Sequence, residues 1–279
     1  MSSQRLTPLT GLHMGPQFFR IEETSELDPA LALDVLAGRR FGVIFRNVIP
    51  VAAQKEMAAR FWASQALTRR TGEPSHHVGT YHWNKPVGSY LAESAAVADQ
   101  VMDVLNVTDS PWHAFRTALA GALAGQGATL RLAEMNGERA CPALIRAWNK
   151  EGEFALEPHE DEAQCRDPRQ AGFEVQQVLD FEICAVNMCI EHEEGGRLVL
   201  WDIRPDDDSR RRFGLEHTGF SYPGETLHGI DEIRLDIQAG DIYIFNGRHV
   251  HAVDANRGNR TAVSFLIGFI DERTVVTWT

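Results

Sequence analysis

Phe154-Ala155-Leu156-Glu157-Pro158-His159-Glu160-Asp161-Glu162 is the stretch on which the reading of this chain turns. Alternating residues of a strand project to one face, so His159 and Asp161, at i and i+2, point the same way if the segment is extended. An imidazole beside a carboxylate supplies two of the three ligands of a 2-His-1-carboxylate facial triad. The third has to be a histidine nearer the C-terminus, and Asn246-Gly247-Arg248-His249-Val250-His251 contains two. An exposed His-Glu-Asp turn would carry the same pair, with Glu157, Glu160 and Glu162 as a solvated rim, so the downstream pattern has to decide.

That pattern favours a metal centre. Gly240-Asp241-Ile242-Tyr243-Ile244-Phe245-Asn246-Gly247 reads as a strand entering a tight turn, with His251 just beyond it. Nine residues after His251, Arg260 opens a very apolar strand in which Arg260, Ala262 and Ser264 share a face. A buried arginine needs an anionic partner, because an unpaired buried charge is very costly. A dicarboxylate co-substrate held bidentately would satisfy it, with Ser264 donating one more hydrogen bond and Ala262 leaving room. His249 and His251 have the same strand parity; the nine-residue step to Arg260 favours His251 and leaves His249 as a supporting or surface histidine. An N,N,O ligand set with open positions suits non-heme Fe(II) oxygen chemistry. A hydrolytic zinc site is the rival, but it has no need of Arg260.

Composition bounds the remainder. The 279 residues are 43% hydrophobic and 24% charged, with a net charge of −12, which argues against a nucleic-acid surface. Cys141, Cys165, Cys184 and Cys189 show no Cys-x-x-Cys spacing and read as reduced and buried, pointing to a cytoplasmic setting. Met1-Ser2-Ser3-Gln4-Arg5-Leu6 lacks a signal-peptide core, and no run approaches the ~18 apolar residues of a membrane helix. No membrane partner is expected.

There is no internal repeat or low-complexity linker, so one domain over 1–279 is expected, with a mainly helical flank over 1–140 and a β-rich core over 141–279. Helices are expected over 29–37, stopping at Gly38, over 52–66, and over 92–126 with a break near Asp109-Ser110-Pro111, where Ser110 can cap the second. Strands are expected at 41–50, 143–148, 183–188, 196–201, 241–245 and 261–269. The aromatic and histidine-rich segment 74–90 suits a loop over a pocket. The polar stretch 205–236 reads as an insertion between core strands, possessing the character of a lid. Helices followed by many short strands indicate an α+β chain with a jelly-roll second half.

The residues now in hand resemble the Fe(II)/2-oxoglutarate-dependent oxygenases: His159-x-Asp161, distal His251, Arg260, and Glu194-Gly195-Gly196-Arg197-Leu198-Val199-Leu200 ahead of the insertion. Within that superfamily the chain is similar to the group of the N-succinyl amino-acid hydroxylase and the hapalindole-type halogenases, through 40–50, 240–247 and 271–278. The resemblance implies a double-stranded β-helix (jelly-roll, cupin-like) core with flanking helices, and Fe(II), 2-oxoglutarate and O2 as cofactor and co-substrates. It implies His159, Asp161 and His251 as ligands, with the far carboxylate of 2-oxoglutarate on Arg260. Ser264 and the indole N–H of Trp148 are further candidates to touch the co-substrate. The group's halogenases carry glycine where this chain has Asp161, so hydroxylation of an unactivated C–H bond is implied here. The substrate implied is a small, carboxylate-bearing amino acid or N-substituted derivative, for which Arg166, Arg169 and Arg204 are candidate partners. A cupin-like zinc hydrolase and a non-catalytic binding protein are the alternatives.

Overall fold

The computed structural model describes residues 7–69 and 75–279; the leader reading of Met1 to Leu6 and the residue Pro74 lie outside the described residues. At the centre is the long strand Ile183–Gly195, antiparallel to Ile242–Asn246 on one side and Asn256–Asp271 on the other. The large sheet extends outward through Gly42–Phe45 and Ile21–Thr24 at one end, and through Leu144–Trp148, Ser75–Val78 and Thr68–Arg69 at the other. A smaller sheet has the order Phe154–His159, His251–Asp254, Leu198–Trp201, Glu232–Leu235.

Strand alternation places these sheets. Val186, Met188, Ile244, Val263 and Phe265 face a core shared with the helices, where Phe61, Tyr90 and Leu119 are buried. The intervening residues Ala185, Tyr243 and Phe245 face the other way and pack against Leu198 and Leu200 of the smaller sheet. Burying each such aromatic or branched side chain contributes roughly 1.5–3 kcal/mol. Core strands alternate between the two sheets except at Leu198–Trp201 and Glu232–Leu235, which follow each other in the smaller one, and the architecture is the expected α+β fold with a double-stranded β-helix flanked by helices.

The flanking helices are Pro29–Leu36, Val51–Ala63, Val87–Leu105 and Pro111–Ala124. Asp28 caps the first through Ala30 N, and Ser110 caps the last through His113 N, as expected. Gly38, at φ 67°, ends the first where a left-handed turn is required. None of the described helices is long and apolar enough to cross a membrane. The four cysteines are free and buried.

Three expectations change. The strand expected at 196–201 begins at Leu198, because Gly195 and Gly196 both have positive φ and form the turn. The segment 74–90 is not one loop: Ser75–Val78 is an edge strand and the helix starting at Val87 occupies its end. The insertion is also shorter, since Glu232–Leu235 pairs with Leu198–Trp201 as part of the smaller sheet. Its polar sequence reflects an edge position with one face in water.

Candidate metal centre

His159 is the last residue of its strand and lies opposite His251, the first residue of the neighbouring strand. Their ring centroids are 4.1 Å apart. Asp161 is not on the strand. The chain bends after His159, and Asp161 stands at the N-terminus of the short helix Glu162–Cys165 with helical backbone angles. The i, i+2 spacing therefore brings the two side chains together by a turn rather than by strand alternation. Ligand atoms of His159, Asp161 and His251 nonetheless all lie within 4.8 Å of one another.

The hydrogen bonds around the three fix what each can offer. His159 Nδ1 lies 2.8 Å from the Glu157 carbonyl and His251 Nδ1 lies 2.9 Å from the His249 carbonyl. Both Nδ1–H groups donate, leaving each Nε2 as a bare lone pair. Asp161 Oδ1 accepts from Gln164 Nε2 at 2.7 Å, while Oδ2 is buried without a hydrogen-bond partner. Burial pushes the Asp161 carboxyl up to about 7 and His251 down to about 4, and it lowers His159 as well, with the neighbouring His251 adding to the effect. A cation held between two neutral imidazoles and this carboxylate removes the cost of the orphan oxygen. The three residues fit a divalent metal.

The acidic flanks are not a solvated rim. Glu160 and Glu162 are buried, and only Glu157 is partly exposed, paired with Lys150. Glu160 accepts from Ala163 N at 3.1 Å and so caps the short helix that Asp161 leaves uncapped. Arg210, from the helix Asp207–Phe213 of the insertion, contacts Glu160 at 3.1 Å and Glu162 at 3.3 Å. Arg248 contacts Glu162 at 2.7 Å. Burial raises the Glu162 carboxyl, but Arg248, Arg210 and Arg166 outweigh it and hold it down at about 2.

A cavity runs from these ligands across the inner face of the large sheet and is also lined by Trp148, Tyr243, Arg260 and Ser264. Arg260 is buried, and its Nη2 donates to Tyr243 Oη at 3.0 Å. Ser264 Oγ donates to Asn187 Oδ1 at 2.7 Å. Gly196 makes room for Arg260: a Cβ there would lie 2.5 Å from its Cδ. His249 points elsewhere, 3.3 Å from the Trp201 carbonyl and against Phe19 and Phe41. The geometry thus groups His251, not His249, with His159 and Asp161.

The arginines expected near the substrate are not in the cavity lining. Arg166 pairs with Glu162 and Asp207, Arg204 with Glu182, and Arg169 with Asp167. Arg166 has Glu162 four residues before it and Asp207 from the insertion, Arg169 has Asp167 two residues before it, and Arg204 has Glu182 from 22 residues away. Tyr81 and Trp83, from the segment expected to cover a pocket, line the cavity, as do Arg146 and Phe220, to which the sequence reading gives no role. Strand parity with Trp148 was a usable signal for Arg146.

A family model described as carrier-protein-independent halogenase WelO5 matches residues 32–279. L-isoleucine 3(1)-dioxygenase of Pantoea ananatis (strain AJ13355) is 30% identical over 260 residues, covering 88% of this chain and 86% of that protein. Among solved structures, an N-substituted L-amino acid dioxygenase from Burkholderia ambifaria AMMD aligns at TM-score 0.60 and 13% identity, over 90% of this chain and 91% of that one. Its complex with alpha-KG aligns at TM-score 0.54 and 18% identity, with the same coverage.

Proposed function

The chain belongs to the carrier-protein-independent halogenase WelO5 family, and from that premise we propose that His159, Asp161 and His251 hold Fe(II) while Arg260 takes the far carboxylate of 2-oxoglutarate. The protein is an Fe(II)- and 2-oxoglutarate-dependent dioxygenase of the amino-acid-hydroxylating kind. Bound iron supplies the oxygen chemistry, coupled to oxidation of 2-oxoglutarate to succinate and CO2. The protein's own groups position the reactants. The carbonyls of Glu157 and His249 orient the two imidazoles, and Gln164 holds one Asp161 oxygen so that the other faces the cavity.

The observation that carries this reading is the buried, unpartnered Asp161 Oδ2 beside two imidazole Nε2 atoms, in the same cavity as a buried arginine. Asp161 also supports hydroxylation rather than halogenation. It fills with a carboxylate the position that the family's halogenases leave open for chloride. A zinc hydrolase would leave Arg260 and Tyr243 without a task.

The substrate is a small amino acid with an aliphatic side chain, a class consistent with the isoleucine dioxygenase relative. The test is turnover with Fe(II), ascorbate and 2-oxoglutarate across a panel of L-amino acids and their N-acyl derivatives. Succinate release coupled to a product heavier by one oxygen is the expected result. Absence of succinate with every substrate would overturn the assignment.

A further inference from the structure

Resting on that reading of the site, we propose that Phe220 selects which carbon of the substrate reacts, and that Trp83 is the positioning residue that holds it in place. Phe220 belongs to the insertion and lies antiparallel to His159, at the end of the strand that carries this ligand. Glu160 N donates to the Gly219 carbonyl at 3.1 Å and Tyr222 N to the Pro158 carbonyl at 2.8 Å, so the insertion is stitched to the metal loop on both sides of Phe220. Gly219 permits this approach, because a Cβ there would lie 2.3 Å from the Glu160 carbonyl oxygen. The Phe220 ring is thereby set edge to face on the His159 ring, with centroids 5.6 Å apart.

Trp83 meets Phe220 from another part of the chain, the segment between the edge strand Ser75–Val78 and the helix Val87–Leu105. The two rings pack edge to face at 5.5 Å, and Trp83 Nε1 donates to the Thr218 carbonyl at 2.9 Å. Both segments are anchored in turn. Arg210 pins the insertion helix to Glu160 and Glu162, and the buried His82, next to Trp83, has its Nδ1 2.8 Å from Gln170 Oε1. A ring packed between two others, on backbone bonded at both ends, keeps its place when a substrate side chain presses on it.

Core packing does not account for Phe220. Its neighbours Leu215 and Tyr222 are buried in the cluster around Trp201 and Val250. Phe220 and Trp83 are instead half-buried and line the cavity. Apolar rings left out of a core beside a concave site are a contact surface for a ligand. The large sheet adds Leu144, Ala185 and Leu266 to the same cavity. With 2-oxoglutarate reaching to Arg260, the substrate shares the metal end with Phe220 and Trp83. A side chain too long for that space meets the Phe220 ring, and a shorter one leaves it uncovered. The position of the ring therefore sets which carbon stops beside the metal, since one methylene in an apolar pocket changes selection by about 10–200-fold.

The holoenzyme is assayed on a ladder of unbranched L-amino acids from 2-aminobutyrate to 2-aminoheptanoate, with the position of hydroxylation read by NMR. The wild type should favour one length and one position. Phe220→Ala should move the best length up by about one methylene, raise kcat/KM for the longest member about tenfold and change the position hydroxylated. Phe220→Trp should move the best length down. Trp83→Phe keeps an aromatic ring and loses the N–H; it should broaden the mixture of positions at unchanged KM for 2-oxoglutarate, and Trp83→Ala should broaden it further. Binding is read separately by anaerobic calorimetry on protein loaded with Mn(II) and 2-oxoglutarate, where Phe220→Ala should keep metal affinity and bind the longest member more tightly. Unchanged length and position in the Phe220 variants would overturn the proposal. So would loss of metal affinity in Phe220→Ala, which would make the ring a shield for His159. Wild-type positions from either Trp83 variant would overturn the role given to Trp83. The Phe220→Trp arm stands if Phe220→Ala does not fold. A wild type that binds 2-oxoglutarate yet neither binds nor hydroxylates any member of the ladder also overturns the proposal. Failure of the wild-type, metal-loaded protein to bind 2-oxoglutarate marks instead the failure of the underlying site assignment.

Discussion

Asp161 and Gly247 are built against each other: Asp161 N donates to the Gly247 carbonyl at 2.8 Å, and a Cβ on Gly247 would lie 2.5 Å from Asp161 Oδ2. The glycine serves proximity here, because the oxygen left for the metal occupies the space where a side chain would begin. Gly247→Ala should displace that carboxylate and weaken Fe(II) binding by more than about tenfold while the fold persists. Metal titration beside a thermal melt checks this; metal affinity equal to wild type would show that Asp161 Oδ2 is not a ligand atom.

The two candidate histidines should separate by property. His251→Ala and His159→Ala should abolish metal binding and turnover. His249→Ala should keep the metal but lose stability, roughly 1–3 kcal/mol, because His249 is buried against Phe19 and Phe41. Denaturant melts and metal titrations of the three variants give the answer; loss of metal in His249→Ala alone would reverse the assignment.

Arg260 should govern the co-substrate and leave the metal alone. Arg260→Ala should raise the KM for 2-oxoglutarate by about 100-fold with Fe(II) affinity retained, as a charge-assisted pair is lost. Tyr243→Phe, which removes the hydroxyl at 3.0 Å, should raise it by less. Steady-state kinetics at saturating iron measures both, and an unchanged KM in Arg260→Ala would remove the co-substrate from that end of the cavity.

The buried ion pairs behind the metal loop predict an acid-sensitive element. Glu162 is held at about 2 in the folded protein, below its unfolded value of ~4.3. A depressed carboxyl contributes stability above the unfolded value and loses it as pH falls from ~4.3 towards 2. Glu162→Gln should lower stability at neutral pH and flatten that acid limb in denaturant melts taken at several pH values. Arg210→Met, which strips the cation from Glu160 and Glu162, should destabilise by about 3–5 kcal/mol. Arg210→Lys should recover part of this. A fully stable Arg210→Met protein would show that the insertion does not brace the metal loop.

Asp161→Gly removes one negative charge and one ligand. It should lose hydroxylation and recover part of its 2-oxoglutarate turnover when chloride is raised, whereas Asp161→Ala should recover less because its methyl group crowds the gap. Succinate and product masses with and without chloride test this. Wild-type hydroxylation by Asp161→Gly in chloride-free buffer would exclude Asp161 from the ligand set.

Much of the centre was legible in the chain because strand alternation and short spacings are local properties. The face shared by Arg260 and Ser264 and the apolar strands around them follow from a period of two. The Ser110 cap and the Gly38 stop follow from single-residue backbone preferences. What local patterning does not carry is which distant charges meet. Glu160 and Glu162 read as a wet rim, yet Arg210 and Arg248, some 50 and 86 residues further on, bury them. Arg166 and Arg204 read as substrate partners, yet Asp207 and Glu182, 41 and 22 residues away, pair with them. Likewise, room for Asp161 and Arg260 depends on Gly247 and Gly196 arriving from other strands. Sequence alone determined the ligand types and the sheet faces, since these depend on residue identity and a two-residue period. Tertiary structure decided the burial of Glu160 and Glu162 by Arg210 and Arg248 and the pairing of Arg204 with Glu182, since each depends on distances between segments far apart in the chain.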